Sequence, residues 1–245
     1  MKKTITLFFL FPLLLTAQIV TVTQPVAGVG VGGNATTYSM TAFTPAANSL
    51  LVLFVAVGAS VLAAPTVTGG GLTWVLEASS LNPQSSTNGY YIFRAKVGNS
   101  PASTTITFDC TADQGTGCAL SVAQFTGYNR DRANPIKQTI FNSTAVANTS
   151  PAITFASALS KDNAYMAGWG NISANNTLTS TPITGWTEIN DFIYNPPKAS
   201  FSTAVRSAGE TTTGAYTFTS SASVQWVAMG VEVYAANRGL PVSFF

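Results

Sequence analysis

The chain has 245 residues, of which 46% are hydrophobic, only 8% are Asp, Glu, Lys or Arg, and none is His. About a quarter of a typical soluble domain is charged, so a sustained coiled coil and charge-rich disorder are excluded. The absence of His excludes Ser-His-Asp and Cys-His nucleophile systems and every His-ligated metal site.

The first element in chain order is a leader. Lys2 and Lys3 precede an apolar run from Ile5 to Leu15, and Ala17 supplies a small residue before Gln18. Residues 1–17 therefore read as a cleaved signal peptide. The run is about half the ~20 residues that a membrane-spanning helix needs. The address this implies is secreted, extracellular or cell-surface, with no membrane span after cleavage. Taking Lys2 and Lys3 from the 11 basic residues leaves nine against nine acidic ones. A neutral, charge-poor surface carries no electrostatic footprint for nucleic acid.

Residues 18–35 form a β-like arm. Gln18 to Thr23 is strand-forming, and Ala27 to Gly33 is Gly-rich and extended. Such an arm can add a strand to a neighbour's open sheet, with Ile19, Val20, Val22 and Val29 as its docking side chains. The competing role is a first strand completing its own sandwich.

The rest of the chain predicts short strands rich in Val, Ile, Thr, Phe and Tyr, bounded by Gly, Pro, Asn and Ser. They fall at residues 36–43, 50–59, 72–79, 90–97, 103–109 and 118–126, then at 151–157, 164–171, 185–193, 200–206, 214–219 and 224–235. Leu50 to Val57 is continuously apolar, as a strand covered on both faces would be; a buried helix is the rival reading, disfavoured by Pro65 and the β-branched content. Segments 80–88 and 142–150, rich in Ser, Thr and Asn, read as surface loops.

The two sets repeat. Ala47 to Phe54 pairs with Asp162 to Trp169, and Ser121 to Phe125 with Met229 to Val233. Thr105 to Phe108 pairs with Ala215 to Phe218, and Pro65–Gly69 leading to Trp74 with Pro182–Gly185 leading to Trp186. The expected fold is all-β: a β-sandwich or jelly-roll-like architecture in two related halves of about six strands, as two tandem sandwiches or one larger one. The first half spans residues 36–129 and the second 130–245, with the charged stretch around Arg130, Asp131, Arg132 and Lys137 as boundary.

Several landmarks resemble duplicated β-sandwich modules of secreted bacterial proteins and of phage fibre or tail-associated proteins. They are Asn48 with the apolar strand after it, Thr68 to Trp74, Phe93-Arg94-Ala95 and the closing Phe125-Thr126-Gly127. The resemblance implies a surface- or particle-associated, non-catalytic module, and it brings no catalytic residues. The leader departs from the phage pattern.

Few residues carry chemistry. Cys110 and Cys118 read as one short-loop disulfide in an exported chain, worth roughly 2–3 kcal/mol; a reactive thiol pair is the alternative. Glu188 and Asp191 are near in sequence, and a glycosidase would need such a pair facing across a cleft. Asp109 and Asp113 could ligate Ca²⁺ or merely close a polar turn. Gly69 to Gly71 reads as a turn. No catalytic, cofactor or metal residue is assigned. Trp169 and Trp226 are expected in the core, whereas Tyr90, Tyr91 and Tyr194, beside polar loops, are the sugar-contact candidates. Sequons at Asn34, Asn142, Asn148, Asn171 and Asn175 mark expected glycosylation loops. The expected function is an exported structural subunit of a filament, lattice or coat that self-associates by strand addition. The alternative is a carbohydrate-binding or adhesin module.

Overall fold

Segments rich in β-branched and aromatic residues have few options other than pairing edge to edge, and this chain does so throughout. The structure is a computed structural model that describes residues 20–58, 64–82, 85–111, 115–155, 159–172, 179–194, 199–209 and 215–236. The leader and Ile19 lie outside these. In the first half the strands are β1 (Thr21–Thr23), β2 (Val29–Ala35), β3 (Thr37–Ser39), β4 (Leu50–Gly58), β5 (Thr66–Thr68), β6 (Trp74–Asn82), β7 (Ser85–Lys96), β8 (Thr107–Asp109) and β9 (Gly115–Thr126). In the second they are β10 (Ile136–Asn148), β11 (Ala152–Thr154), β12 (Ala164–Ile172), β13 (Ser180–Pro182), β14 (Thr187–Tyr194), β15 (Ala199–Arg206), β16 (Ala215–Ser220) and β17 (Val224–Val233). The chain is all-β and its ladders are antiparallel.

Two expected loops are strands. β6 continues to Asn82 and β7 resumes at Ser85, so the described residues of 80–88 are paired strand. Residues 142–150 mostly belong to β10, whose Ser, Thr and Asn face outward from a sheet edge.

One large sheet runs β1-β9-β4-β7-β6, with β2 following β1 along the same edge of β9. The other runs β10-β17-β12-β15-β14. Two small sheets run β3-β8-β5 and β11-β16-β13. Each half thus uses one connection pattern, in which the segment before the first small strand borders the closing strand. The arm occupies the place that β10 holds in the second half.

Three apolar cores separate four layers. Side chains alternate across a strand, so β4 splits into two sets. Leu51, Leu53, Val55 and Val57 meet Tyr38, Val67 and Phe108 of the first small sheet. Leu50, Val52, Phe54 and Ala56 meet Met166, Phe201, Val227 and Met229 of the second large sheet. On that sheet's far face, Tyr165, Trp169 and Trp226 pack on Ile153, Tyr216 and Phe218. The order is small, large, large, small. All nine residues of β4 are buried, which accounts for its unbroken apolar run.

Strand pairing also bears on the sequence matches between the two parts of the chain. Leu50 lies opposite Phe125, and Ala164 opposite Val233. With Phe125 and Val233 equivalent, Leu50 corresponds to Ala164 and Ser49 to Asn163. The sequence matches of Asn48 with Asn163 and of Phe125 with Val233 therefore differ by one residue, and a one-residue slip turns every side chain to the opposite face. The same register makes Gln124 equivalent to Glu232. Gln124 Oε1 accepts the Ala46 N–H at 2.7 Å, and Glu232 Oε1 accepts the Ser160 N–H at 3.1 Å.

The arm is corrected as well. β1 and β2 pair with β9 of their own chain, Val20 is fully buried and Val22 nearly so. Val29 packs on the first core. These side chains are used inside the fold, in the first-strand role, not offered to a neighbour. Between β1 and β2 the backbone passes so close to β14 that a Cβ at Gly28 would strike Phe192 and Asn190. Asn190 Oδ1 accepts from Gln24 Nε2 at 2.7 Å and from the Gly28 N–H at 3.0 Å. Its Nδ2 donates to Ser121 Oγ at 2.5 Å, and Ser121 shares a 2.7 Å hydrogen bond with Thr203. Buried polar groups cost little only when paired, and this cluster, drawn from the arm, β9, β14 and β15, pins the two large sheets in one register.

Because both halves share the core around Phe54, they should unfold together. Phe54→Ala should destabilise by about 3–5 kcal/mol, and urea denaturation followed by Trp fluorescence (all four Trp lie at or beyond Trp74) should give one transition coincident with far-UV circular dichroism.

Candidate functional site

Polar and titratable side chains gather at three places. The first is the end of β17. Glu232, fully buried, accepts from Lys137 Nζ at 3.1 Å, Gln138 Nε2 at 2.5 Å, Asn163 Nδ2 at 2.7 Å and the Tyr165 hydroxyl at 3.3 Å. Asn163 Oδ1 in turn accepts the Ala235 N–H at 2.9 Å. A buried carboxylate with this many donors is held immobile. The arrangement locks a strand end; it presents no group for chemistry.

The second is the outer face of β14. A bulge between Glu188 and Asn190 lets Glu188 and Asp191, three apart in sequence, fall on one face. Ser202 Oγ donates to Glu188 Oε1 at 3.2 Å, and the Ser180 N–H to Asp191 Oδ2 at 3.2 Å. The Ser180 and Ser202 hydroxyls are 2.5 Å apart. Partial burial pushes the Asp191 carboxyl up to about 6; the Ser180 N–H opposes this and the Glu188 charge adds to it. The two carboxylates sit side by side on one face of a single strand, whereas glycoside hydrolysis uses a pair on either side of the scissile bond.

The third is a cleft of about 890 Å³ at the crossing between the halves. Its walls are the turn before β4, the end of β7, the end of β9 and the crossing segment, which is stitched to the chain after β17. The Asn129 N–H donates to Tyr234 O at 2.9 Å and the Ala236 N–H to Gly127 O at 3.0 Å. Lys96, Arg130 and Asp131 line the cleft with Asn48, Thr126 and Tyr128. The Tyr128 hydroxyl is pushed up by burial, with Arg130 and then Arg94 pulling it down. Arg130 and Asp131 of the charged stretch between the halves therefore form part of the cleft wall.

The residues singled out from sequence are dispersed. Tyr90 is fully buried between the large sheets and Tyr91 is buried in the first core, so neither is a sugar platform. Burial pushes the Tyr90 hydroxyl far up. The Tyr194 side chain lies outside the described residues. Trp169 and Trp226 are in the third core as expected; Trp186 joins them, and Trp74 packs on the first core. Asn34 and Asn142 are exposed. Asn171 is buried and its amide donates to Gln225 O, which leaves no room for a glycan. Asn148 Oδ1 accepts the Trp226 indole N–H at 2.9 Å. Asn175 and Asp113 lie outside the described residues. Asp109 Oδ1 accepts the Thr111 N–H at 2.7 Å, as in a polar turn, and among the described residues no cluster of three metal-ligating side chains occurs.

Cys110 and Cys118 are not joined by a disulfide; both are buried thiols. Cys110 follows β8 of the small sheet and Cys118 is on β9 of the large one, on facing layers of the first core. A short spacing in sequence does not by itself set the sulfur–sulfur geometry that a disulfide requires. Burial, then the neighbouring Cys110, pushes the Cys118 thiol well up. The same surroundings push the Tyr38 hydroxyl up to about 12, burial first and then the two thiols.

Sequence reasoning missed Asn48 and Lys96 as cleft residues; their only signals were an Asn before an apolar strand and a lone cation at a strand end. Compared with protein-family models, curated proteins and solved structures, the chain matches none.

Two measurements follow from these surroundings. Ellman's reagent should leave both thiols unmodified in the native protein and titrate both in guanidinium. Asp191 binds its proton more tightly folded than unfolded, so stability should fall as pH rises through the window from about 4 to 6. Asp191→Asn should abolish that slope in thermal melts, and raise stability at neutral pH.

Proposed function

We propose that this chain is an exported, non-catalytic building unit whose copies associate through an open sheet edge. The observation that carries the reading is the contrast between β6 and β14. Each is the last strand of its large sheet, and each bears a bulge at the same place, between Leu76 and Ala78 and between Glu188 and Asn190. At matched positions β14 carries Glu188 and Asp191, and β6 carries Leu76 and Ser79.

Natural proteins guard an edge strand with charge because its unpaired N–H and C=O groups can recruit another chain. β14 is guarded in this way. β6 is not: Val75, Leu76 and Leu81 are exposed on it. Its single charge, Glu77, is engaged by Arg94 and by Asn134 Nδ2 at 3.0 Å. The occupant favoured is β6 of a second copy, since a self-complementary two-fold contact is the commonest closure. Few surface charges oppose the approach.

The address rests on the leader pattern. The shared connection pattern, the matched bulges and the paired Trp74 and Trp186 support reading the halves as copies of one module, like the duplicated sandwich modules that the sequence resembles.

Light scattering on the full chain should show association that Leu76→Lys with Ser79→Asp reduces to monomer, with an unchanged melting profile. A wild-type chain that stays monomeric up to its solubility limit overturns the reading.

A further inference from the structure

The open edge of β6 has a second edge beneath it. β6 packs against β10 and β17 of the other large sheet, while β2 packs against β14. β6 and β10 are each the last strand of their sheet, so the two large sheets end on the same side of the molecule. Asn134, two residues before β10, donates from Nδ2 to Glu77 of β6 at 3.0 Å and ties the two edges together. The small sheets follow suit, with β5 next to β6 and β11 next to β10. One wall of the four-layer stack is therefore built of β5, β6, β10 and β11, and the opposite wall of β3, the arm strands, β14 and β13.

The two walls differ in charge. The strands of the first carry one carboxylate, Glu77, and one ammonium, Lys137, and each is paired within its own chain, with Arg94 and with Glu232. From Gln138 to Asn148 β10 has no charged residue, and Val146 on it is 75% exposed. The strands of the opposite wall carry Glu188 and Asp191. These accept from the Ser202 hydroxyl and the Ser180 N–H, neither of which cancels a charge. A two-fold contact through that wall would set carboxylates against their own copies, and like charges placed opposite each other disfavour strand pairing.

We propose that a second copy docks on the whole of the first wall, with β10 meeting its own copy beneath the β6 contact, so that association closes at two chains. This rests on the edge-strand reading of β6 and extends it. Symmetry supplies the reason. A two-fold axis that sets β6 antiparallel to its copy in one continuous sheet stands perpendicular to that sheet. The same axis runs on through the sheet stacked beneath, so it brings β10 toward its copy as well. Packed sheets lie within about 30° of each other in strand direction, so both edges approach along one wall. Each large sheet then continues from one copy into the other, and the outward N–H and C=O groups of both edges gain partners in one step. Left outside is the wall that bears Glu188 and Asp191, whose charge discourages addition of a third chain. The product is a discrete pair instead of a growing filament.

Hydrogen–deuterium exchange of the full chain, read above and below the concentration at which it associates, tests the docking surface. Amides of β10 should slow together with those of β6, by roughly tenfold or more. Sedimentation equilibrium should find pairs and nothing larger. Ser143→Lys with Val146→Lys, both at exposed positions of β10, should weaken association by roughly tenfold while leaving the melting profile unchanged. Should that variant fail to fold, the exchange measurement on the native chain decides. A chain that never associates overturns both this inference and the reading of β6. Association that slows β6 but leaves β10 exchanging at its monomer rate, that the folded β10 variant leaves unaltered, or that grows past two chains overturns this inference alone.

Discussion

The face-to-face contact of the two large sheets is the constraint on which the rest depends. An antiparallel sheet usually buries one face and shows the other to water. Here each large sheet buries both, one under a small sheet and one against its counterpart. That demand dictates the composition. Strands such as β4 have no outward positions on which to carry charge, so apolar residues accumulate and the few charges on inner strands, Arg94 on β7 and Glu232 on β17, are paired. The low charge content is a geometric result of stacking four layers from short strands.

Joining two large apolar faces creates a register problem, because apolar contact is non-directional. The chain answers it with a few buried polar groups. Asn190, Ser121 and Thr203 meet between the sheets and are satisfied by one another and by the arm. Gly28 and Gly30 let the arm lie against Phe192. The arm is therefore both the edge strand of one sheet and a strap to the other. That double duty explains why its valines are covered.

The halves share connections but differ in how they treat their ends and edges. Glu232 and its five donors seal one end, while Gln124 leaves the corresponding end open beside Asn48. Glu188 and Asp191 guard one edge strand, while Leu76 and Ser79 leave the other bare. Where two parts of a chain share connections, the places at which they differ show which edges and ends are sealed and which are left open.

Much of the architecture was legible in the sequence because it depends on local periodicity. Twelve strand segments, the two-sided burial of Leu50 to Val57 and the inward packing of Trp169 and Trp226 follow from alternation and β-propensity alone. What failed depends on pairing. β10 looked like a loop because an edge strand can be as polar as one. Tyr90 and Tyr91 looked exposed because β7 begins at Ser85, earlier than its polar start suggested. Cys110 and Cys118 looked bonded because closeness in sequence says nothing about layers. Asn48 and Asn163 looked equivalent although the ladders place them one residue apart. The amino-acid order by itself determined that this chain would be strands with apolar faces. Only the tertiary structure decided which face met which, because strand partners come from distant parts of the chain and one step in register exchanges inside for outside.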